Sequence, residues 1–183
     1  CWCSHAMACN RADLFNVETG LLTLVGPYLD QDKSCKSGLE CGISGIRGQD
    51  LQNGDRIRIS NQCGLPGIVS GWPDNGISDP AIFNGDEYSW GGDNGGLHVT
   101  GAGGEYSMCW CSFSAPECTD GSHFRVEIGI MKLLGPASGQ RRYCVAGQAC
   151  VIDNFGGYEL QDGDRLLISD TCKEGLSAPV VGF

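Results

Sequence analysis

Apolar and polar residues alternate from Phe15 through Val17, Thr19, Leu21 and Thr23 to Val25, and Gly26-Pro27 ends the run. The same rhythm returns as Phe124, Val126, Ile128, Ile130, Lys132 and Leu134 before Gly135-Pro136. A period of two stopped by Gly-Pro predicts a long β-strand. A glycine interrupts each run, Gly20 in one and Gly129 in the other, which marks a bulge or a strand switch. Further on, Asn53-Gly54-Asp55 reads as a turn into Arg56-Ile57-Arg58-Ile59-Ser60. That stretch predicts a half-buried strand, with Ile57 and Ile59 toward a core and the arginines toward water. Before it, residues 34–42 read as a short loop or hairpin and residues 43–51 as an irregular strand region. In Glu105-Tyr106-Ser107-Met108-Cys109-Trp110-Cys111, every second residue shares a face. Tyr106, Met108 and Trp110 therefore lie opposite Cys109 and Cys111.

The paired runs belong to an internal repeat. Cys1-Trp2-Cys3-Ser4 returns as Cys109-Trp110-Cys111-Ser112, and Gly54-Asp55-Arg56 as Gly163-Asp164-Arg165. Cys35, Cys41 and Cys63 return as Cys144, Cys150 and Cys172. The offset is 108 at the first two cysteines and 109 from Cys9 and Cys118 onward. Self-similarity at a fixed period is the mark of a repeat architecture. Residues 64–105 occur once.

Twelve cysteines in 183 residues, six in each copy, change the picture from a hydrophobic core alone to a stapled one. An even number at repeating spacing predicts a disulfide framework in an oxidising, extracellular or secretory setting. The spacings are C-x-C and C-x5-C rather than the paired C-x2-C or C…H of zinc sites. Cys35–Cys41 and Cys144–Cys150 are expected to close local loops, and Cys3–Cys9 and Cys111–Cys118 to tie the end of one repeat to the entry of the next. Cys63–Cys109 would staple two strands and stabilise by on the order of 4 kcal/mol. Cys109 and Cys111 lie on one face roughly 7 Å apart, too far to bond to each other. Exchanging their partners is equally allowed. Cys1 and Cys172, the counterparts of Cys109 and Cys63, are left over.

A net charge of −10 without a Lys/Arg cluster argues against nucleic acid, which demands neutralised phosphates. No apolar run approaches the ~20 residues of a membrane span. The 29 glycines and the lack of helical periodicity point to an all-β, turn-rich chain. None of His5, His98 and His123 sits in a nucleophile motif, and no nucleophile, base and orienting group converge in the sequence, so no enzyme is expected. Asp74, Asn75, Asp79, Asp86, Glu87, Asp93 and Asn94 supply the oxygen ligands Ca²⁺ prefers, with Asp86 and Asp93 the metal candidates. The same residue types are ordinary turn formers. Trp72, Tyr88 and Trp90 beside them suggest a sugar-stacking platform, or else the filling of a core. For glycans there is no N-x-[ST] sequon, and Asn61-Gln62-Cys63 is the nearest form.

The frame of the repeat predicts an orphan CWCS strand and linker over residues 1–13. A complete β-sandwich repeat is then expected over 14–111, and a linker with an incomplete second repeat over 112–183. With neither a starting Met nor a signal peptide, the chain reads as a processed mature form or a slice of a longer repeat protein. An incomplete sheet exposes backbone groups and apolar surface. The spare Cys1-Trp2-Cys3 of one chain is therefore expected to complete the second repeat of another, with Cys1 bonded to Cys172. Such a contact does not close, so it builds a filament of identical subunits.

The Cys-x5-Cys pair, the Gly-Asp-Arg strand and the Tyr-x-x-Cys-Trp-Cys end strand resemble a known type of chain. They are similar to the cysteine-rich, immunoglobulin-like tandem repeats of large secreted or surface proteins of algae and alveolate protists. The resemblance implies disulfide-rich immunoglobulin-like β-sandwich modules in cell-surface or shed filaments. Tyr106, near the start of a cysteine-bearing end strand, agrees with that fold, although its Y-x-x-C spacing differs from the Y-x-C of the tyrosine corner. The expected function is a structural subunit of an extracellular filament. The alternative is an adhesive or carbohydrate-binding module using residues 72–98.

Overall fold

A computed structural model describes residues 1–92, 96–114, 117–169 and 172. Among them there is no α-helix. Nine strands follow in order: β1 Gly26–Pro27, β2 Lys33–Lys36, β3 Cys41–Ile43, β4 Gly48–Gln49, β5 Arg56–Ser60, β6 Tyr88–Trp90, β7 Gly104–Cys111, β8 Val126–Pro136 and β9 Gly157–Tyr158. The chain is all-β and held by disulfides.

The main sheet has the order β2-β8-β7-β5. Antiparallel β5 and β7 place Ile57 opposite Trp110 and Ile59 opposite Met108. β8 lies antiparallel to β7 on one edge and parallel to β2 on the other. Two smaller pairs, β3-β6 and β1-β4, lie outside this sheet. One core joins Ile57, Ile59, Met108, Trp110, Ile128, Met131 and Leu133 of the main sheet to Cys41, Ile43, Tyr88 and Trp90 of the β3-β6 pair. A smaller cluster on the other face of β7 holds Cys109, Cys111, Phe124 and Ile77. Both faces of β7 are thus covered, which explains why its last four residues are all buried.

This core corrects the expected boundary after Cys111. Ile128, Met131 and Leu133 of β8 are fully buried in it, although they belong to the second sequence copy. Residues 15–25, expected to open the first unit as a strand, contribute nothing to it. Only Val17 there makes a bridge, to Trp2, while Leu21, Leu22 and Leu24 are almost wholly exposed. Hydrophobic alternation marks a segment able to pair, but pairing needs a neighbour, and β8 already fills the place beside β7.

The bulge expected at the glycine is present. Opposite Met108 and Cys109 the register jumps from Gly129 to Glu127, leaving Ile128 unpaired on the bulged side. The jump changes phase. After Gly129 the inward residues are Met131 and Leu133, not the Ile130, Lys132 and Leu134 of simple alternation. Gly129 has φ +151°, and a Cβ there would come within 2.8 Å of the Gln31 backbone, so the position tolerates only glycine.

Arg58 also departs from expectation, since it is buried rather than water-facing. The once-occurring segment lies over it, and its guanidinium donates to the carbonyls of Leu65 at 3.2 Å, Asn75 at 3.4 Å and Gly67. A planar fork of five N–H donors is the side chain suited to saturating several carbonyls at once.

Leu133→Ala is expected to cost about 2–5 kcal/mol in urea unfolding, because it opens a cavity in the core. Leu24→Ala, at the corresponding position of the first copy, should change the stability of the dilute chain by less than about 0.5 kcal/mol.

Candidate assembly interface

The two sequence copies share their local geometry bond for bond. Gly26 pairs with Gln49 and Pro27 with Gly48, while 109 residues on Gly135 pairs with Tyr158 and Pro136 with Gly157. Gln31 clamps its turn by donating to the carbonyls of Tyr28 and Arg47 and accepting from Arg47 N. Gln140 repeats the clamp on Ala137, Gly156 and Gly156 N. Asp55 accepts from Gln52 N, and Asp164 from Gln161 N, each at 3.0 Å. Even the short 3-10 turns recur, at Ala12–Leu14 and Gly121–His123.

Disulfides follow the same frame. The structure joins Cys3–Cys9, Cys35–Cys41, Cys111–Cys118 and Cys144–Cys150. Cys35–Cys41 ties β2 to β3 and so links the main sheet to the β3-β6 pair. Cys63–Cys109, spanning 46 residues, is the one long-range bond and fastens the end of β5 to β7. It lies between neighbouring strands of one sheet. Cys1 and Cys172 carry free, exposed thiols.

What differs between the copies is burial. Met131 and Leu133 are 0% exposed, and their counterparts Leu22 and Leu24 are 93% and 85% exposed. Ile57 and Ile59 are 0% exposed, whereas Leu166 and Ile168 are 57% and 47% exposed. Trp110 is 6% exposed and Trp2 52%. Tyr143 and Val145, in the segment equivalent to β2, are likewise open to water, and residues 165–168, equivalent to most of β5, form no strand. The second copy has its turns and local disulfide in place, and among the described residues no strand covers them. Between Pro136 and residue 166 runs a cleft of about 440 Å³ lined by Leu134, Gly135, Phe155, Leu160 and Leu166. In the first copy the matching ground is covered, with the Trp110 ring 3.5 Å from where a Cβ of Gly26 would stand.

The chain matches no known protein family, no curated protein and no solved structure. Its surface must therefore be read from its own residues.

The proposed ligand platform dissolves on inspection of burial. Trp72, Tyr88 and Trp90 line no groove; they fill the core, with Trp72 edge-on to Trp90 at 5.6 Å and to Tyr106 at 6.1 Å. Trp90 donates to the Gly76 carbonyl at 2.7 Å. Burial raises the Tyr88 phenol well above its ordinary pKa, and the charge of Asp55 adds to the effect. Apolar rings beside turn residues are pulled inward because they supply most of the area a small core can bury. Asp86 uses its carboxylate to accept from Gly45 N at 3.1 Å, a bond between segments 41 residues apart. Asp93 lies outside the described residues. Among the described residues no cluster of three His, Cys, Asp or Glu could hold a metal. Asn61 is exposed just after β5 and two residues before the bonded Cys63. Trp2 is bridged to Val17 of its own chain, so the CWCS strand does not stand alone.

One residue with a structural role was missed by sequence reasoning. Tyr158 of β9 donates to Glu105 of β7 at 2.6 Å and ties the second copy to the main sheet. That bond pushes the phenol up to about 12, with some loss of solvation and the Glu105 charge helping. A group whose folded pKa is raised stabilises below its unfolded value and loses the effect as pH rises through the folded one. The tie should thus weaken from about pH 10 to 12. In Glu105→Gln, ultraviolet titration should show the Tyr158 transition falling toward about 10, its ordinary value.

Proposed function

We propose that this chain is a structural subunit of an extracellular filament in which consecutive repeats are joined by a shared strand. One observation carries the reading: β8, which opens the second sequence copy, is the central strand of the sheet built from the first. Tandem modules joined by a flexible linker would leave each sheet closed on itself. Here the second copy lends its first strand to the sheet of the first, so the joint is a packed core rather than a tether. Such a chain of modules is linear and resists extension, because separating two repeats means pulling a strand from a sheet.

Several features support the wider setting. Disulfides of this density form and persist in oxidising compartments. Among the described residues, no helix is long and apolar enough to cross a membrane. An immunoglobulin-like sandwich is our reading of each unit, with the main sheet and the β3-β6 pair as its two layers. The Tyr106 hydroxyl donates to the Ala102 carbonyl, four residues upstream, at 2.7 Å, which is the bond of a tyrosine corner. The likeness to the surface repeats of algae and alveolate protists fits this reading. Surface glycans remain part of the proposal, with exposed Asn61 the candidate attachment point. The adhesive alternative loses its aromatic residues to the core.

Sedimentation velocity and negative-stain electron microscopy of the oxidised chain test the reading. A ladder of species growing with concentration and linear particles is expected. A monomer at every concentration, or a closed dimer that grows no further, would overturn it.

A further inference from the structure

We propose that residues 1–27 of one chain form a two-stranded donor that completes a sheet with residues 137–169 of a second copy, sealed by a Cys1–Cys172 bond. The inference rests on the filament reading and names its joint. The donor is more than the CWCS strand.

In the first unit the slot between β2 and β5 is filled by β8 and β7 together. Trp110 pairs with Val126 at the start of this two-stranded insert. Trp2 and Val17 already make the same antiparallel bridge, with Trp2 N donating to Val17 O at 2.8 Å. The donor is therefore pre-assembled at one end. Its anchors are Leu22 and Leu24, the counterparts of buried Met131 and Leu133, and Trp2, the counterpart of Trp110.

The acceptor is prepared as well. The Gln140 clamp and the Cys144–Cys150 bond hold residues 140–150 as Gln31 and Cys35–Cys41 hold the β2 region. Leu166 and Ile168 present the apolar pair that Ile57 and Ile59 bury. Gly20 supplies an independent sign. Its counterpart Gly129 must be glycine because the Gln31 backbone crowds it, yet around Gly20 nothing lies within 4 Å and φ is +125°. Gly20 keeps the bulge geometry for a neighbour that this chain does not place there. The residue equivalent to Gln31 is Gln140, on the acceptor.

The occupant is a second copy rather than the chain's own donor. Gly26, where the donor ends, packs against Trp110 at the Val126 end of β8, while the acceptor begins beyond Gly135 at the other end. At about 3.3 Å per residue those ends are roughly 30 Å apart. Donor and acceptor thus face away from each other, the arrangement that yields an open head-to-tail polymer. Cys1 and Cys172 then meet as Cys109 and Cys63 do. The two thiols give up two protons and two electrons to a small-molecule disulfide, which leaves as two thiols through a mixed-disulfide intermediate.

The test uses the full oxidised chain, with oxidised glutathione as the small-molecule disulfide. Wild type is expected to form a ladder on a non-reducing gel, with the Cys1–Cys172 peptide pair only in bands larger than monomer. Leu22→Asp/Leu24→Asp alters residues that are 93% and 85% exposed in the monomer, so it should fold normally yet raise the half-assembly concentration at least about 10-fold, as loss of buried apolar anchors demands. Gly20→Val should act in the same direction. Ile68→Asp, at a position 74% exposed but outside both segments, should assemble as wild type does. A synthetic peptide of residues 15–27 should cap growth. Assembly undiminished in the double variant, equal loss in Ile68→Asp, or the crosslink confined to monomer would overturn the joint while leaving the filament reading standing. A wild-type chain that stays monomeric would overturn both.

Discussion

A β-strand in the middle of a sheet satisfies its backbone on two edges, and its buried face must be met by a core. β8 depends on all three conditions. β7 pairs with it along one edge and β2 along the other, while Ile128, Met131 and Leu133 enter the core. Remove β8 and the β2 edge loses its only partner in the main sheet, the core loses three fully buried side chains, and Tyr106 loses its cross-strand neighbour Met131. Burying each such side chain is worth about 1.5–3 kcal/mol. The strand therefore holds the first unit together although it belongs, by sequence, to the second.

From that one placement the rest of the architecture follows. In the proposed filament, a unit that borrows its last strand from its successor lends its own first strand to another unit. Residues 15–25 hold leucines in water and residues 142–168 hold leucines and an isoleucine, the two surfaces that the proposed exchange buries. The disulfides divide along the same line. Cys35–Cys41 and Cys144–Cys150 shape loops within a copy, and Cys3–Cys9 and Cys111–Cys118 fix the turn by which one strand of the donor leads toward the other. Cys63–Cys109 locks β7, the antiparallel partner of the borrowed strand, to the segment just after β5. Its loop constrains the unfolded chain by an entropy worth on the order of 4 kcal/mol. Gly129 lets β8 bulge past Gln31, and the bulge turns Met131 and Leu133 inward.

Much of this was legible in the residues, and the misses have physical causes. Alternation identified β8 and Gly129 marked its bulge, because period and backbone freedom are local properties, but the same alternation over residues 15–25 forms no strand. Which strand pairs with which is not local. The 14–111 frame assumed that a strand folds with the residues that follow it, whereas β8 folds with those before it. The face of β8 was misassigned after Gly129 because a bulge reverses the phase of alternation. Arg58 was expected in water because charge favours it there, but carbonyls from a segment without a counterpart gave its fork enough acceptors. For Trp72, Tyr88 and Trp90 the sequence left a platform and a core filling both open, because their neighbours are polar turn residues, and burial decides for the core. Tyr158 offered no sequence signal, since its partner Glu105 is 53 residues away.

Amide hydrogen exchange of the dilute chain asks most directly whether the first strand of a repeat belongs to the sheet before it. Strands in a packed sheet exchange only on unfolding, while unpaired segments exchange freely. The account predicts strong protection across residues 126–136 and almost none across 19–25, with protection of 19–25 appearing as concentration rises. Equal protection of the two segments in the monomer, or protection of 19–25 alone, would contradict it.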